Sequence, residues 1–326
     1  MGRVYYLFSN GKIRRKDNTI YIETDGGDKR AIPIEDVEVI HIFGEVELNT
    51  KLLNFLSQQG KVLHIYNYYG FYSGSFIPRD KNVSGDLLVK QVEHYLDPER
   101  RLYLAYSFVE GALFHMIWNL REYNGTYEFQ EKIKNELERA NKSKNINELM
   151  GCEGRARDVY YQAFNIILKE EFHMDKREKR PPSNPVNALI SFANSLIYST
   201  VLSELYHTQL NPTISYLHEP RERRFSLSLD LAEIFKPLLG DTLIFKLVNN
   251  GIIKLEDFDE DLNYCYLKDS GKKKFVKAFD EKLNTTIKHK KLNRSVSYRT
   301  LIRLECYKLI KHLLEDEIYK PLKAWW

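Results

Sequence analysis

The hydrophobic pattern of the chain changes its period near residue 80, and this change most strongly limits the possible folds. Before it, short β-branched and aromatic runs are separated by Asn-Gly and Gly-Gly turns, which predicts strands. After it, apolar residues recur at the spacing of one helix face almost to the end. We therefore expect an α+β protein, with a small β-rich domain over residues 1–80 and a larger all-α domain over 81–326.

The individual elements follow from the same pattern. In the first part we predict strands at 4–8, 19–24, 37–43 and 62–66, and one helix over 50–59 that ends at Gly60. In the second part, Asp97 caps a helix that starts at Pro98. Further helices are predicted over 128–140, 146–171, 185–206, 228–248 and 296–318.

Composition narrows the class of protein. Hydrophobic residues make up 43% of the chain and charged residues 29%, as in globular proteins. No run of roughly 18 apolar residues is present, and the start lacks a signal-peptide pattern, so we expect no membrane span. The three cysteines lack CxxC spacing, which favours a reduced, cytoplasmic protein without a zinc knuckle or disulfide framework. Cys152 is interpreted as a small buried side chain rather than a nucleophile.

Positive charge is concentrated near the end of the chain. The formal net charge is only +4, but residues 268–311 contain fourteen basic and four acidic residues. Such a segment fits the phosphate backbone of a nucleic acid, although a solvated helix face would also explain it. The candidate contacts are Lys288, Lys290, Lys291, Arg299 and Arg303.

Glu153 is the most informative carboxylate. It precedes Ala156 by three residues, which places it on the stripe of its helix that faces the core. A buried carboxylate needs a partner, and a metal ion is one. Arg157, four residues further on, is the alternative, because it can form an ion pair within the helix.

A second group of candidates lies between residues 218 and 236. His218 is in an extended piece before Pro220 and is a candidate metal ligand, while Glu219 is another candidate and a structural histidine is the alternative. Asp230 and Glu233 share one helix face at i and i+3, although acids near a helix start also interact favourably with its dipole. Basic residues beside them could hold phosphate or line an ordinary basic loop: Arg221, Arg223, Arg224 and Lys236.

Carboxylates, one imidazole and adjacent cations together predict metal-assisted chemistry on a phosphodiester. The oxygen ligands with one imidazole suit Mg²⁺ or Mn²⁺. The sequence contains no Walker loop, no GxGxxG after a strand, no HExxH and no GxSxG that would support another chemistry.

Four stretches, in order along the chain, resemble the CRISPR-associated adaptation integrases. They are Glu153-Gly154, residues 180–192, Leu217-His218-Glu219 and residues 228–237. The resemblance spans essentially the whole chain and implies a metal triad of Glu153, His218 and Glu233, with Asp230 near the metal. Two positions differ from the family pattern: Glu233 stands where Asp is frequent, and Lys236 stands where Arg is usual. Lysine keeps the charge but loses bidentate phosphate geometry.

The resemblance also implies an activity and partners. It implies a divalent-metal-dependent DNA endonuclease and integrase that inserts foreign DNA fragments as new spacers into a CRISPR array by transesterification. The implied partners are double-stranded DNA, a second copy bound through the β-domain, and a small ferredoxin-like adaptation protein. A stand-alone metal-dependent nuclease and a non-catalytic DNA-binding scaffold are the alternatives.

Overall fold

The computed structural model describes residues 2–79, 82–179, 181–220, 225–261 and 264–326. The chain divides into two compact units, Met1–Lys81 and Asn82–Trp326. The division coincides with the change of hydrophobic period near residue 80. Strands and helices occur together, so the protein is of mixed α and β structure.

The first unit contains eight strands and one helix among its described residues. They are β1 (Arg3–Leu7), β2 (Gly11–Lys16), β3 (Thr19–Thr24), β4 (Lys29–Pro33), β5 (Val37–Ile42), β6 (Val46–Leu48), α1 (Thr50–Gln58), β7 (Val62–Tyr66) and β8 (Tyr72–Phe76). One sheet has the order β1-β5-β7-β8 and the other the order β4-β3-β2-β6. In the first sheet, β1, β5 and β7 run parallel and β8 is antiparallel to β7.

The core of the first unit joins the two sheets to α1. Buried side chains from both sheets and from the helix form one cluster: Ile13, Ile20, Ile32, Ile34, Val37, Ile40, Ile42, Leu52, Phe55, Leu56 and Leu63. Asn49 caps α1 by accepting a hydrogen bond from the backbone of Leu52, 2.9 Å away. Gly60 has φ +64°, so the predicted end of this helix is confirmed, since glycine adopts that conformation readily.

The second unit is mainly helical. Its helices are α2 (Gly85–Leu96), α3 (Pro98–Arg121), α4 (Tyr127–Ala140), α5 (Ile146–Gln162), α6 (Phe164–Ile167), α7 (Pro185–Tyr206), α8 (Ser226–Phe235), α9 (Thr242–Asn249), α10 (Asp269–Asn284) and α11 (Tyr298–Leu313). A π-helical segment, Lys236–Asp241, joins α8 to α9. The predicted start of α3 is confirmed, because the Asp97 side chain accepts from the backbone N–H groups of Glu99 and Arg100.

The prediction of an all-α second unit was wrong in one detail. Two short antiparallel ribbons occur there, β9 (Phe258–Asp261) with β10 (Tyr264–Leu267), and β11 (Thr286–Lys288) with β12 (Ser295–Ser297). Their strands have three or four residues, which is too short for a two-residue alternation to be distinguished from a loop.

Helices α3 and α7 lie at the centre of the second unit. Helix α3 packs against α4, α5 and α8, and α7 packs against α8 and α11. Helix α7 is long and apolar enough to cross a membrane, but 83% of that stretch is buried inside the unit, as in the core helix of a globular protein. All three cysteines are buried.

Candidate active site

The carboxylate of Asp230 organises the loop that carries His218. Asp230 lies in the first half of α8, is fully buried, and accepts hydrogen bonds from the backbone N–H groups of Tyr216, Leu217 and His218 at 2.7, 2.9 and 3.0 Å. It also binds the ring Nδ1 of His218 at 2.8 Å. Because a carboxylate only accepts, Nδ1 carries the proton and Nε2 keeps its lone pair.

Asp230 orients the His218 imidazole so that its Nε2 can bind a cation or a proton. Burial lowers the pKa of His218, but the hydrogen bond and charge of Asp230 outweigh it, so the pKa is raised overall. The side chain is 28% exposed, so Nε2 belongs to a group that a ligand can reach. Orientation of a ligating histidine by a carboxylate on its other nitrogen is common in metal sites.

Glu153 and Glu233 meet at one guanidinium. Nη2 of Arg157 lies 2.5 Å from an oxygen of Glu153 on α5 and 2.5 Å from an oxygen of Glu233 on α8. Those two oxygens therefore lie at most about 5 Å apart, twice that distance, although 80 residues separate the glutamates along the chain. The ion pair between Glu153 and Arg157, the alternative to a metal, is present, and the same guanidinium brings in Glu233.

Glu233 lies in a buried, strongly charged environment. Its side chain is 7% exposed, and its other oxygen lies 2.5 Å from Nζ of Lys236. Burial raises the pKa of Glu233, but Lys236, Arg157 and His218 together lower it to about 2. Glu233 is therefore ionised at any working pH, and its charge interacts with His218, the third predicted ligand.

The site brings two carboxylates close together, with the guanidinium of Arg157 between them. Among the described residues, no three His, Cys, Asp or Glu side chains stand in ligating positions around one point. The donor set nevertheless fits a hard divalent ion, because two carboxylates converge and one imidazole nitrogen is available beside them. Arg157 supplies the positive charge that the paired carboxylates require in the structure. Ligation by Glu153, His218 and Glu233 stays a prediction.

Several positive charges surround the two glutamates. Burial lowers the pKa of Lys179, and three neighbouring cations lower it further: Lys236, Arg177 and Arg157. Arg177 is fixed by hydrogen bonds to Asn187 and Ser191, both 2.9 Å, at the start of α7. Cations held close together against their repulsion form a suitable environment for a phosphate group.

Asp241 is a buried acid that the sequence analysis missed. It ends the π-helical segment, and its Oδ2 has no hydrogen-bond partner among the described residues. Burial raises its pKa to about 7, and the charge of Arg157 and a hydrogen bond from Tyr160 only partly offset this. The available sequence signal was an acid between apolar residues, Leu238-Leu239 before it and Leu243 after it.

The Asp241→Asn variant will gain stability over its parent as pH rises. The folded pKa lies above the ordinary value of 3.8, so between about pH 4 and pH 7 the folded state binds more protons than the unfolded state. The parent therefore loses stability over this interval, and the neutral variant does not. Urea unfolding at pH 5 and pH 8 should show the difference growing by about 1–3 kcal/mol. A difference that is the same at both pH values would contradict a raised pKa.

The remaining residues predicted to bind metal or DNA lie in different surroundings. Glu219, the alternative ligand, pairs with Arg101 at 2.6 Å and accepts a hydrogen bond from Tyr95 at 3.0 Å. Arg221, Arg223 and Arg224 lie outside the described residues. Lys288, Lys290 and Lys291 are exposed on or beside β11.

Two of the predicted DNA contacts are corrected by the structure. Arg299 is only 5% exposed and lies 3.7 Å from Glu204, and Arg303 pairs with the same carboxylate at 2.6 Å. Glu204 is buried in α7 and requires positive charge around it. Both arginines therefore stabilise the core side of α11 instead of facing a DNA backbone.

Comparison with known proteins identifies relatives that match nearly the whole length of the chain. The sequence model of the family described as CRISPR associated protein Cas1 matches residues 5–281. The chain is 73% identical, over 99% of its length and 100% of the other protein, to a "CRISPR-associated endonuclease Cas1 3" from Thermodesulfovibrio yellowstonii. It is similar to the solved structure of a Cas1 protein from Thermotoga maritima, with a TM-score of 0.91 and 42% identity, covering 98% of this chain and 100% of that one.

Two more distant solved structures share the fold alone. One is described as a casposase bound to integration product, with a TM-score of 0.86 and 19% identity, covering 97% of this chain and 92% of that one. The other is a chain of a Cas6-RT-Cas1–Cas2 complex, with a TM-score of 0.85 and 18% identity, covering all of this chain and 36% of that one.

Proposed function

Because this chain belongs to the Cas1 family of CRISPR-associated endonucleases, we propose that it is a divalent-metal-dependent DNA integrase that joins captured DNA fragments to a CRISPR array. The single observation that carries the proposal is the convergence of Glu153 and Glu233 on Arg157, beside His218. Two carboxylates held this close require a cation, and the surrounding lysines and arginines favour a phosphate substrate.

The proposed chemistry is a transesterification. The 3′-hydroxyl of a captured fragment attacks a phosphodiester at the border of a repeat, one P–O bond forms and another breaks, and the leaving 3′-oxygen takes up a proton. Mg²⁺ or Mn²⁺, held by Glu153, His218 and Glu233, would stabilise negative charge on the reacting oxygens. When water replaces the hydroxyl, the same site hydrolyses DNA.

The residues of the chain have separate tasks in this scheme. Asp230 holds the His218 imidazole in the tautomer that leaves Nε2 available, by the contacts at 2.8 and 3.0 Å. Lys179 and Lys236, whose ammonium groups lie in the cationic surroundings of Glu233, would neutralise the phosphate oxygens of the strand. Arg157 would give up its place between the glutamates when the metal binds.

The partners follow from the same family membership. We propose double-stranded DNA, a second copy of the chain bound through the first unit, and a small ferredoxin-like adaptation protein, all in the cytoplasm. A solved structure with this fold is described as a Cas6-RT-Cas1–Cas2 complex, and another as a casposase bound to integration product, which supports a protein partner and DNA for this chain as well.

A strand-transfer assay tests the proposal. Purified protein with its adaptation partner, a short duplex with free 3′-hydroxyl ends and a supercoiled repeat-bearing plasmid should give joined products only with Mg²⁺ or Mn²⁺. Cleavage without joining would favour the stand-alone nuclease. Equal DNA binding with and without a chelator, without turnover, would favour the non-catalytic scaffold.

Replacing Lys288, Lys290 and Lys291 with alanine together should weaken duplex binding and reduce its dependence on salt. All three are exposed, and each phosphate contact contributes about 0.9 to the slope of log K against log salt. We expect the slope to fall by about 2–3, measured by fluorescence anisotropy between low and physiological salt. The matched control replaces Lys132 and Lys134, which are ion-paired to Glu128 and Glu131 on α4. An unchanged slope in the triple variant would remove these lysines from the DNA surface.

A further inference from the structure

The three tryptophans of the chain gather on one surface of the second unit. The chain has only Trp118, Trp325 and Trp326. Trp326 lies against Trp325 with ring centroids 4.7 Å apart, and both Trp118 and Trp326 line the same cavity. The cavity has a volume of about 370 Å³, which is in the range of small-molecule sites.

The walls of this cavity are aromatic and come from separate elements. Trp118 lies in the last turn of α3 and Tyr123 just after it, Tyr298 begins α11, and Trp326 belongs to the segment after α11. Trp326 is 38% exposed, and its indole N–H donates to the hydroxyl of Tyr298 at 2.8 Å. The Trp326 ring is therefore fixed in orientation while part of its surface remains open.

The supports of the cavity are tied to the core. The Asn119 amide donates to the Tyr160 hydroxyl at 2.9 Å and to the Pro237 carbonyl at 2.8 Å. The backbone N–H of Ala324 donates to the buried ring of His115 at 3.1 Å. Asn119 and Ala324, which line the cavity, are thus held in place before any ligand binds. This lowers the entropic cost of binding.

A lysine that has no ion-pair partner among the described residues lines the same cavity. Nζ of Lys282 lies 5.0 Å from the centre of the Tyr298 ring. Burial and the charge of Lys246 lower the pKa of Lys282, and no carboxylate of the described residues offsets either effect. An ammonium group in this situation would be stabilised by an anion. Glu122, also in the cavity wall, can accept hydrogen bonds from an amino or ring N–H group.

Aromatic faces, one half-buried ammonium and one acceptor are groups suited to recognise a single nucleotide. We propose that this cavity binds an unpaired nucleotide of a DNA strand, with its base against Trp118 and Trp326 and its phosphate on Lys282. A base in a duplex has both faces covered by neighbouring base pairs, so only an unpaired one can enter between side chains. The inference rests on the proposed function in taking DNA as the substrate.

Tryptophan fluorescence gives a direct test, because all three fluorophores lie at this surface. A single-stranded oligo(dT) should quench the emission to saturation, and Lys282→Ala should weaken this binding by about tenfold. Lys277→Ala, an exposed lysine on the same helix, is the matched control and should bind as the parent does. Absence of quenching, or equal affinity in the Lys282 variant, would overturn the proposal.

A second measurement separates this site from the active site. Fluorescence anisotropy with a labelled duplex should show Trp326→Ala losing about tenfold in affinity when the duplex has unpaired 3′ ends, and nothing when it is blunt. Equal affinity of the parent for thymidine monophosphate and for oligo(dT) would overturn the assignment to a DNA strand. Strand joining measured in parallel keeps the two proposals apart: joining without quenching overturns only the cavity, and quenching without joining overturns only the integrase.

Discussion

Replacing Glu153 or Glu233 with glutamine will lower metal-dependent DNA cleavage by roughly a thousandfold while the protein stays folded. Glutamine has nearly the shape of glutamate but lacks the charge that a divalent ion requires. The effect is expected to be this large because both carboxylates converge on one point, with Arg157 2.5 Å from each. The measurement is the rate of plasmid nicking with Mn²⁺, at enzyme in excess over DNA, with circular dichroism as the check on folding.

Glu136→Gln is the matched control for this experiment. Glu136 is also a mostly buried carboxylate held by an arginine of α5, since Arg155 lies 2.8 Å from it and Arg139 lies 2.7 Å from it. It differs in that Arg155 pairs with no second carboxylate in the part of the chain that the structure describes. We expect its cleavage rate to stay within a few-fold of the parent, as for a residue outside the reacting centre. Retention of the parent rate in either active-site variant would exclude that glutamate from the metal site.

Arg157→Met will destabilise the protein strongly in chelator and will recover on addition of metal. Removing one partner from a buried ionic group costs about 3–5 kcal/mol, because the remaining charges are left uncompensated. The Arg157 side chain is 13% exposed in the parent. Its removal would leave two carboxylates within about 5 Å of each other without their shared cation. The expected drop in Tm is roughly 6–20 °C for a unit of this size.

Thermal unfolding in EDTA and in millimolar Mn²⁺ measures both halves of this prediction. Mn²⁺ should raise the Tm of Arg157→Met more than that of the parent, because the variant leaves the two carboxylates free for the ion. Arg155→Met is the control: its side chain is 54% exposed, so its loss should change the Tm little and leave the metal response as in the parent. Equal metal responses of Arg157→Met and parent would contradict competition between Arg157 and the ion.

The part of the site that lies within one helix turn could be predicted from the sequence. Spacing of four residues predicted the ion pair of Glu153 with Arg157, and spacing of three placed Asp230 and Glu233 on one face. The contact of Arg157 with Glu233 crosses 76 residues, and that of Asp230 with the His218 loop depends on where α8 packs. Such contacts are set by tertiary packing, which no local pattern encodes.

The misassigned arginines show how a charge count misleads. Arg299 and Arg303 belong to a basic segment, yet they face inward to Glu204. A sequence signal existed: Glu204 is the only charged residue in the apolar helix Pro185–Tyr206. A buried acid requires cations from elsewhere in the chain, so part of a basic segment had to be committed to it.

Strand β2 was not predicted because charged residues dominate its sequence. Its sequence contains Lys12, Arg14, Arg15 and Lys16, so polarity hides the alternation, and only Gly11 and Ile13 are buried. This strand contributes one apolar residue, Ile13, to the core, and the other strands and α1 supply the rest. Pairing with β3 on one side and β6 on the other satisfies its backbone.

The number of residues in the π-helical segment between α8 and α9 sets the orientation of α9 relative to α8. The backbone N–H of Thr242 reaches the carbonyl of Pro237, five residues back, so the segment holds one residue more than an α-helical turn would. Deleting one residue would turn α9 by roughly 100° relative to α8. Phe245, now 4.7 Å from the ring of Phe164, would leave the core, while Glu233 upstream would keep its place. Relatives that retain this site should therefore tolerate many substitutions across residues 236–241 and almost no insertion or deletion.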